Sequence, residues 1–319
     1  MTRILPLLML AVVIAIFGTV SPRFLTAQNL VNIVVQSSSL AIVATGMTFV
    51  LLTAGIDLSA GSVMFVSAAI AGKLALAGVP LAFALTAALV VGLLCGLITG
   101  LIIVRLKVLA FIATLAGLYA LRGLGLYITE TRAMNLPEPV LQIGSGTFAA
   151  IPIPIWVLLL TVVPGQLILT RTPFGRHVLA CGFNVESARR SGVRVGAVLS
   201  GVYLISGFCA ALGGLVSVAQ LGAVSPTFGN QREFAAIAAA VLGGTSLFGG
   251  RGSVLPGAFL GAVLIQTVES GLVMVNADPY VYPLVLAGTI FLAVLLDSIR
   301  QAWRVRSEKR RIRPLEAVS

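Results

Sequence analysis

Residues 40–71 read LAIVATGMTFVLLTAGIDLSAGSVMFVSAAIA. Without its middle, this would be one apolar run long enough to cross a bilayer, which takes about 20 residues. Residues 53–62, TAGIDLSAGS, interrupt the run with Gly55, Ser59, Gly61 and one carboxylate, Asp57. Irregular backbone near membrane depth is tolerated only when it is buried in protein or lines a water-filled cavity. The stretch therefore predicts two helices in lipid separated by a buried polar break. A second break, GGTSLFGGRGS at residues 243–253, separates Val241 from Val254. Paired interrupted segments in two halves of a chain point to a transport pathway. Gly55, Asp57, Ser59, Gly61, Gly244, Thr245 and Ser246 are accordingly candidate pathway residues. Aligning residues 51–63 with 242–254 recovers Leu, Gly-Ser-Val and little else, a faint trace of internal duplication.

The remainder of the 319 residues sets the same solvent. Hydrophobic residues make up 58% and charged residues 10%, with a mean hydropathy of +1.08. A soluble domain carries roughly a quarter charged residues. Candidate spans fall at 4–20, 30–53, 62–79, 81–104, 108–128, 151–170, 196–219, 234–248, 254–274 and 281–299. The expected fold is all-α, a polytopic membrane protein of about ten transmembrane helices. Residues 1–299 would form the membrane domain and 300–319 a basic tail.

The net charge of +11 would suggest nucleic acid in a soluble protein. Here the positive-inside rule accounts for it, so no nucleic-acid partner is expected. Sixteen of the 21 Lys and Arg residues fall at Arg3, in the 105–107 loop, in 171–194, at Arg251 and in the tail. An even number of spans places all of these on one side, with both termini cytoplasmic. The first span, 4–20, resembles a signal peptide, but no small-x-small site follows it, and it reads as a retained span. The three cysteines and the single His177 carry no metal-ligand spacing.

Ionisable residues inside spans are costly and mark function or pairing. Asp57 reads either as a cap for the helix that follows or as a group touching substrate or a gate. Glu269 reads either as the partner of an Arg or as a pathway-lining residue. Lys73 and Arg122 read as side chains that snorkel to the outer interface. Rows of small residues, Gly92/Gly96/Gly100 and Gly257/Gly261, read as helix-packing stripes.

The longest basic segment between spans is RTPFGRHVLACGFNVESARRSGVR, residues 171–194. Pro173, Gly175 and Gly182 punctuate it as a loop. Asn184 caps a short helix from 185 to 191, and Gly192 ends it. Such a helix reads as a docking element, against the alternative of a solvated charged loop. No GxxxxGK[ST], HExxH or GxSxG motif occurs. Uphill transport would therefore draw on a partner that binds ATP, with no cofactor or metal in this chain.

Several stretches resemble a known family. GMTFVLLTAGIDLSAGS at 46–62 is similar to its GMTxVxxxxGIDLSxGS signature. FGRHVLACGFN at 174–184, with Ala188 to Gly192, resembles its cytoplasmic coupling segment FGRxxxAxGGN. IAAAVLGGTSLFGGRG at 237–252 resembles IAAxVLGGTSLxGGxG, and FIATL at 111–115 with LRG at 121–123 adds a shorter match. The family is the permease subunit of bacterial ABC importers for monosaccharides, of the ribose/xylose/galactofuranose type, in the branched-chain permease superfamily. The resemblance covers nearly the whole chain. It implies a type II importer-like fold in the bacterial inner membrane and a second permease subunit. It also implies a cytoplasmic ABC ATPase and an extracytoplasmic sugar-binding protein. Under it, segment 171–195 contacts the ATPase through Phe174, Gly175, Arg176, Gly182, Asn184, Glu186, Ala188 and Gly192. Two positions depart from the pattern: Phe183 replaces the second Gly of GGN, and Ala235 replaces an acidic residue before Ala-Ile-Ala. A branched-chain amino-acid permease is the related alternative, opposed by the GIDLSxGS stretch. A self-sufficient secondary transporter would carry more intramembrane ionisable groups, and a membrane enzyme would need a catalytic constellation.

Overall fold

The computed structural model describes residues 4–278, 280–285, 287–289, 291, 295 and 298. The expected tenth span, 281–299, lies partly outside the described residues, and the basic tail wholly so. Twelve α-helices follow one another between Ile4 and Met274: α1 (Ile4–Val20), α2 (Ala27–Leu52), α3 (Ala60–Leu76), α4 (Leu81–Arg105), α5 (Ala110–Thr129), α6 (Glu138–Ser145), α7 (Ile153–Arg171), α8 (Pro173–Phe183), α9 (Val185–Arg190), α10 (Val195–Leu221), α11 (Arg232–Leu242) and α12 (Phe259–Met274); residues 281–285 are helical again. Among the described residues, six segments are long and apolar enough to cross a membrane: α2, α4, α5, α7, α10, and α12 with the π-helical turn Val254–Ala258 that leads into it. Helices α1 and α3 are shorter apolar segments.

Helix α2 is the centre of the bundle. Every residue from Ser37 to Leu52 is buried, as a helix apolar on all sides must be. Its antiparallel partner is α10. Ser39 Oγ donates to the Gly213 carbonyl at 2.8 Å, and Gln220 Nε2 donates to the Val35 carbonyl at 2.8 Å. In lipid there is little hydrophobic drive between helices, so close backbone approach supplies the packing. The Gly92/Gly96/Gly100 stripe of α4 faces α10, with no room for a side chain against the Gly207, Tyr203 and Ser200 backbone. Gly257 and Gly261 sit likewise against Gly243 and Ala239.

Contacts define the two ends of the bundle. At one end, the two-residue strands β1 (Met134–Asn135) and β4 (Ala223–Val224) pair antiparallel, joining the loops after α5 and α10. A small hairpin, β2 (Thr147–Phe148) with β3 (Ile151–Pro152), follows α6. At this end Lys73 Nζ donates to Glu130 Oε1 at 3.0 Å. That bond holds the Glu130 carboxyl below its ordinary pKa. Both side chains are largely exposed, and exposed pairs contribute little. Lys73→Ala should leave thermal stability in detergent unchanged; a clear drop would show that this end is held by charge. The opposite end gathers the end of α2, helices α8 and α9, and residues 249–251. Its basic residues include Arg171, Arg176, Arg189, Arg190, Arg194 and Arg251.

Two local expectations are corrected. Residues 173–183 form helix α8, not a punctuated loop: the Thr172 hydroxyl accepts from the Gly175 amide at 3.2 Å, and Pro173 stands at the first helical position. Proline is tolerated there because its missing N–H would have had no partner. The expected span 234–248 is helical only as far as Leu242. Residues 243–248 belong to the second break.

Candidate functional site

The first break leaves α2 at Thr53 and enters α3 at Ala60. Its Asp57 is 3% exposed. Asp57 Oδ1 accepts from the Ser59 amide at 3.0 Å and from Ser59 Oγ at 2.6 Å, while Oδ2 accepts from Ser206 Oγ at 2.7 Å. All three groups donate to it, so the carboxylate both caps the start of α3 and ties the break to the middle of α10. A negative charge at a helix N-terminus is also favoured by the helix dipole. Helix α5 holds the other side. Thr114 Oγ1 donates to the Ile56 carbonyl at 3.2 Å, and Ser62 Oγ donates to the Leu118 carbonyl at 2.8 Å. Gly55 is needed for space: a Cβ there would stand 2.8 Å from the buried Tyr203 hydroxyl, which has no hydrogen-bond partner among the described residues.

Gly61 opens a second polar cluster that the sequence reading did not assemble. A Cβ on Gly61 would collide with Glu233 Oε2 and the Gly229 carbonyl oxygen. Glu233, in the first turn of α11, is 5% exposed, and its Oε2 has no hydrogen-bond partner among the described residues. Arg122 does not snorkel as expected. Its Nη1 donates to the Phe228 carbonyl at 2.6 Å, and its guanidinium lies 5.0 Å from the centre of the Phe65 ring. Arg122 and Glu233 also attract each other through space. The segment after β4 is thus drawn back into the bundle as far as Gly61. Ala235, where an acid was expected, is buried in α11, and Glu233 is the acidic group at the head of that helix. The sequence did signal Arg122, a cation in mid-span that requires a partner. Nothing marked Ser206 or Tyr203.

The second break closes on itself. The Ser246 amide donates to the Arg251 carbonyl at 2.8 Å, the Gly244 amide to Val241 at 2.8 Å and the Thr245 amide to Ala240 at 3.0 Å. Gly244 adopts φ of +94°, a left-handed conformation that suits glycine. Thr245 is fully buried, its Oγ1 without a hydrogen-bond partner among the described residues. The two breaks meet through their backbones, at Leu52–Ala54 and Gly249–Gly250. Glu269 is not gathered with them. It lines a cleft of about 150 Å³ with Gln231, Ile265, Leu272, Tyr282 and Thr289, and Arg232 is the cation whose charge bears on it.

The basic segment is two helices joined at Asn184. The Asn184 side chain caps α9, its Oδ1 accepting from the Ser187 amide at 2.8 Å. Glu186 pairs with Arg189 at 3.0 Å and Arg190 at 3.2 Å. Ala188 is buried, and Gly192 takes φ of +84° to end the helix. Phe174 packs its ring over Gly201 of α10 and near Phe49 of α2, with ring centres 6.5 Å apart. Gly175 fits against the Ile168 and Leu169 carbonyls. Arg176 is exposed. Burial pushes the Cys181 thiol pKa up, which suits a packing residue.

A bundle of long apolar helices interrupted twice by buried polar backbone defines a polytopic membrane protein of the transport type. The chain belongs to the family described as branched-chain amino acid transport system / permease component, which matches residues 29–295. It is 38% identical to the ribose import permease protein of Haemophilus influenzae, over 91% of each chain. It is 38% identical to that of Escherichia coli, over 92% of this chain and 93% of the relative. The xylose transport system permease protein of Escherichia coli is 32% identical, over 91% of each chain. No solved structure matches it.

Proposed function

We propose that this chain is the permease subunit of an ATP-driven importer that carries a monosaccharide across the bacterial inner membrane. The observation that carries this reading is the 38% identity to ribose import permease proteins over more than nine-tenths of both chains. The broken, charge-poor spans support it. A polar but uncharged cargo needs a pathway that binds it weakly, since a tight site would hold it. The fold expected is ten spans with both termini cytoplasmic. Residues 1–299 form the permease domain and 300–319 a basic cytoplasmic tail. Gly55, Asp57, Ser59, Gly61, Gly244, Thr245, Ser246 and Glu269 are proposed to lie along the pathway. Glu233 and Arg122 join them as residues that hold it together.

The reading includes partners: a cytoplasmic ABC ATPase that binds the ATP, a second permease subunit, and an extracytoplasmic sugar-binding protein. The ATPase would dock on α8 and α9 through the exposed Arg176, Asn184, Glu186 and Gly192, with Phe174, Gly175, Gly182 and Ala188 packing the segment onto the bundle. Gentle solubilisation, capture of the chain and mass spectrometry should recover an ATPase carrying a P-loop. Proteoliposomes of that complex should take up labelled sugar only with ATP, with unlabelled ribose competing and leucine not. Competition by leucine instead would favour the amino-acid branch of the family. Uptake by the isolated chain without ATP would overturn the importer reading.

Docking can be tested separately from folding. The Glu186 pairs are exposed, and such helix pairs contribute only about 0.3–0.5 kcal/mol each. Arg176→Glu and Glu186→Arg should therefore leave membrane insertion intact. Each should lower sugar-stimulated ATP hydrolysis about tenfold, within the range seen for coupling mutations. Full stimulation in both variants would remove α8 and α9 from the docking surface.

A further inference from the structure

Three segments meet backbone to backbone at the end of the bundle where α8 lies. The Gly250 amide donates to the Leu52 carbonyl at 2.9 Å. This bond ties the second break to the last residue of α2, immediately before the first break. Gly182, near the end of α8, lies directly on it: a Cβ there would strike both the Leu52 oxygen and the Gly250 nitrogen. Gly249 closes the contact from the far side. A Cβ on it would stand 2.8 Å from the Gly182 carbonyl oxygen and 3.0 Å from the Ala54 nitrogen. Gly249 and Gly250 hold φ of +83° and +73°, so the second break turns here in a conformation that favours glycine. The Phe183 ring covers Gly250, 2.9 Å from the position of a Cβ on that residue.

At Gly182 no side chain separates α8 from either break. Side chains absorb small shifts by changing rotamer, whereas closely packed backbone transmits them. Packed elements of this kind move between discrete arrangements and do not deform continuously. We infer that Gly182 is a positioning residue that passes a displacement of α8 to both breaks together. The hydrogen bond from Gly250 to Leu52 makes the two breaks shift as one unit. This inference rests on the reading of α8 and α9 as the ATPase-docking segment.

The test uses the complete importer in proteoliposomes. Wild-type uptake must depend on ATP; if it does not, it is the importer reading that fails, and the experiment shows this before any variant is made. Gly182→Ala should lower the sugar taken up per ATP hydrolysed by about tenfold, as expected for a strongly coupled site. An unchanged ratio would overturn the inference. A distance measurement decides the matter if the alanine variant does not assemble. Spin labels at the exposed Val185, paired in turn with labels at the exposed Phe248 and Ala54, should keep constant separations with and without a non-hydrolysable ATP analogue. The separation from Val185 to Phe148 at the other end should change. A changed separation from Val185, two residues past the end of α8, to either break would show that the α8–α9 segment slides past it, and would overturn the inference.

Discussion

Asp57→Ala is expected to abolish uptake while the protein still accumulates in the membrane. The wild-type carboxylate satisfies three donors in a buried site: the Ser59 amide, Ser59 Oγ and Ser206 Oγ. A stranded buried donor costs about 1–3 kcal/mol. The Ser206 hydroxyl can turn to a carbonyl of its own helix, but Ser59 stands ahead of α3 with no helical turn before it, so its amide and hydroxyl have no such recourse. Against this, a carboxylate at mid-depth costs about 2.5–3.5 kcal/mol on insertion scales, and its removal recovers part of that. The opposing terms are similar in size, so folding is only modestly weakened. The loss falls on geometry, because the first break is no longer fastened to α10. Asp57→Asn should retain partial uptake: its amide oxygen still serves Ser59, but its NH₂ faces a hydroxyl that must turn round to accept. Ser206→Ala should give an intermediate loss, and the double variant Asp57→Ala/Ser206→Ala should be no worse than Asp57→Ala alone, as for residues in direct contact. Normal uptake by Asp57→Ala would remove this carboxylate from the working parts.

Arg122→Ala should be the most destabilising single change among the charged residues described. A hydrogen bond from a charged donor contributes about 1.5–3 kcal/mol, and the contact with the Phe65 face adds about 0.5–1 kcal/mol. Arg122 is only half buried, so the total is discounted to about 2–3 kcal/mol, measured as unfolding in detergent. The variant also leaves Glu233, 5% exposed, without its neighbouring cation. Glu233→Gln placed on top of Arg122→Ala should recover part of the loss, because a buried carboxylate without a cation is the expensive species. Arg122→Lys should not restore full stability, since an ammonium does not reproduce the flat guanidinium over the ring. Equal, small effects of Arg122→Ala and Lys73→Ala would show that the 225–233 segment is not anchored by this cation.

Lys73 and Arg122 show how far sequence reading reaches. Both are cations in apolar spans, and both read as side chains extending to the outer interface. Lys73 does reach an exposed acid beyond the end of α5. Arg122 turns inward because a loop distant in sequence brings the Phe228 carbonyl and Glu233 to it. Spacing along α5 carries no information about where residues 225–233 return. The docking segment divides in the same way. Asn184 and Gly192 announced α9 through local capping chemistry, and α9 is there. Helix α8 was hidden by Pro173 and Gly175, residues that read as breakers until Thr172 caps the first turn.

By itself the sequence determined the solvent, the helical class, the position of both breaks and their polar content. These follow from composition and from the local rule that lipid tolerates no unsatisfied backbone. Only the tertiary structure decided which residues the breaks touch. Asp57 is held by Ser206 of α10, Gly61 is closed over by Glu233, and Gly182 is pressed onto the hydrogen bond between Leu52 and Gly250. Each of these contacts depends on glycine or serine at a helix crossing. Such residues look the same in sequence whether they pack against a backbone, a carboxylate or nothing, and only the packed bundle tells them apart.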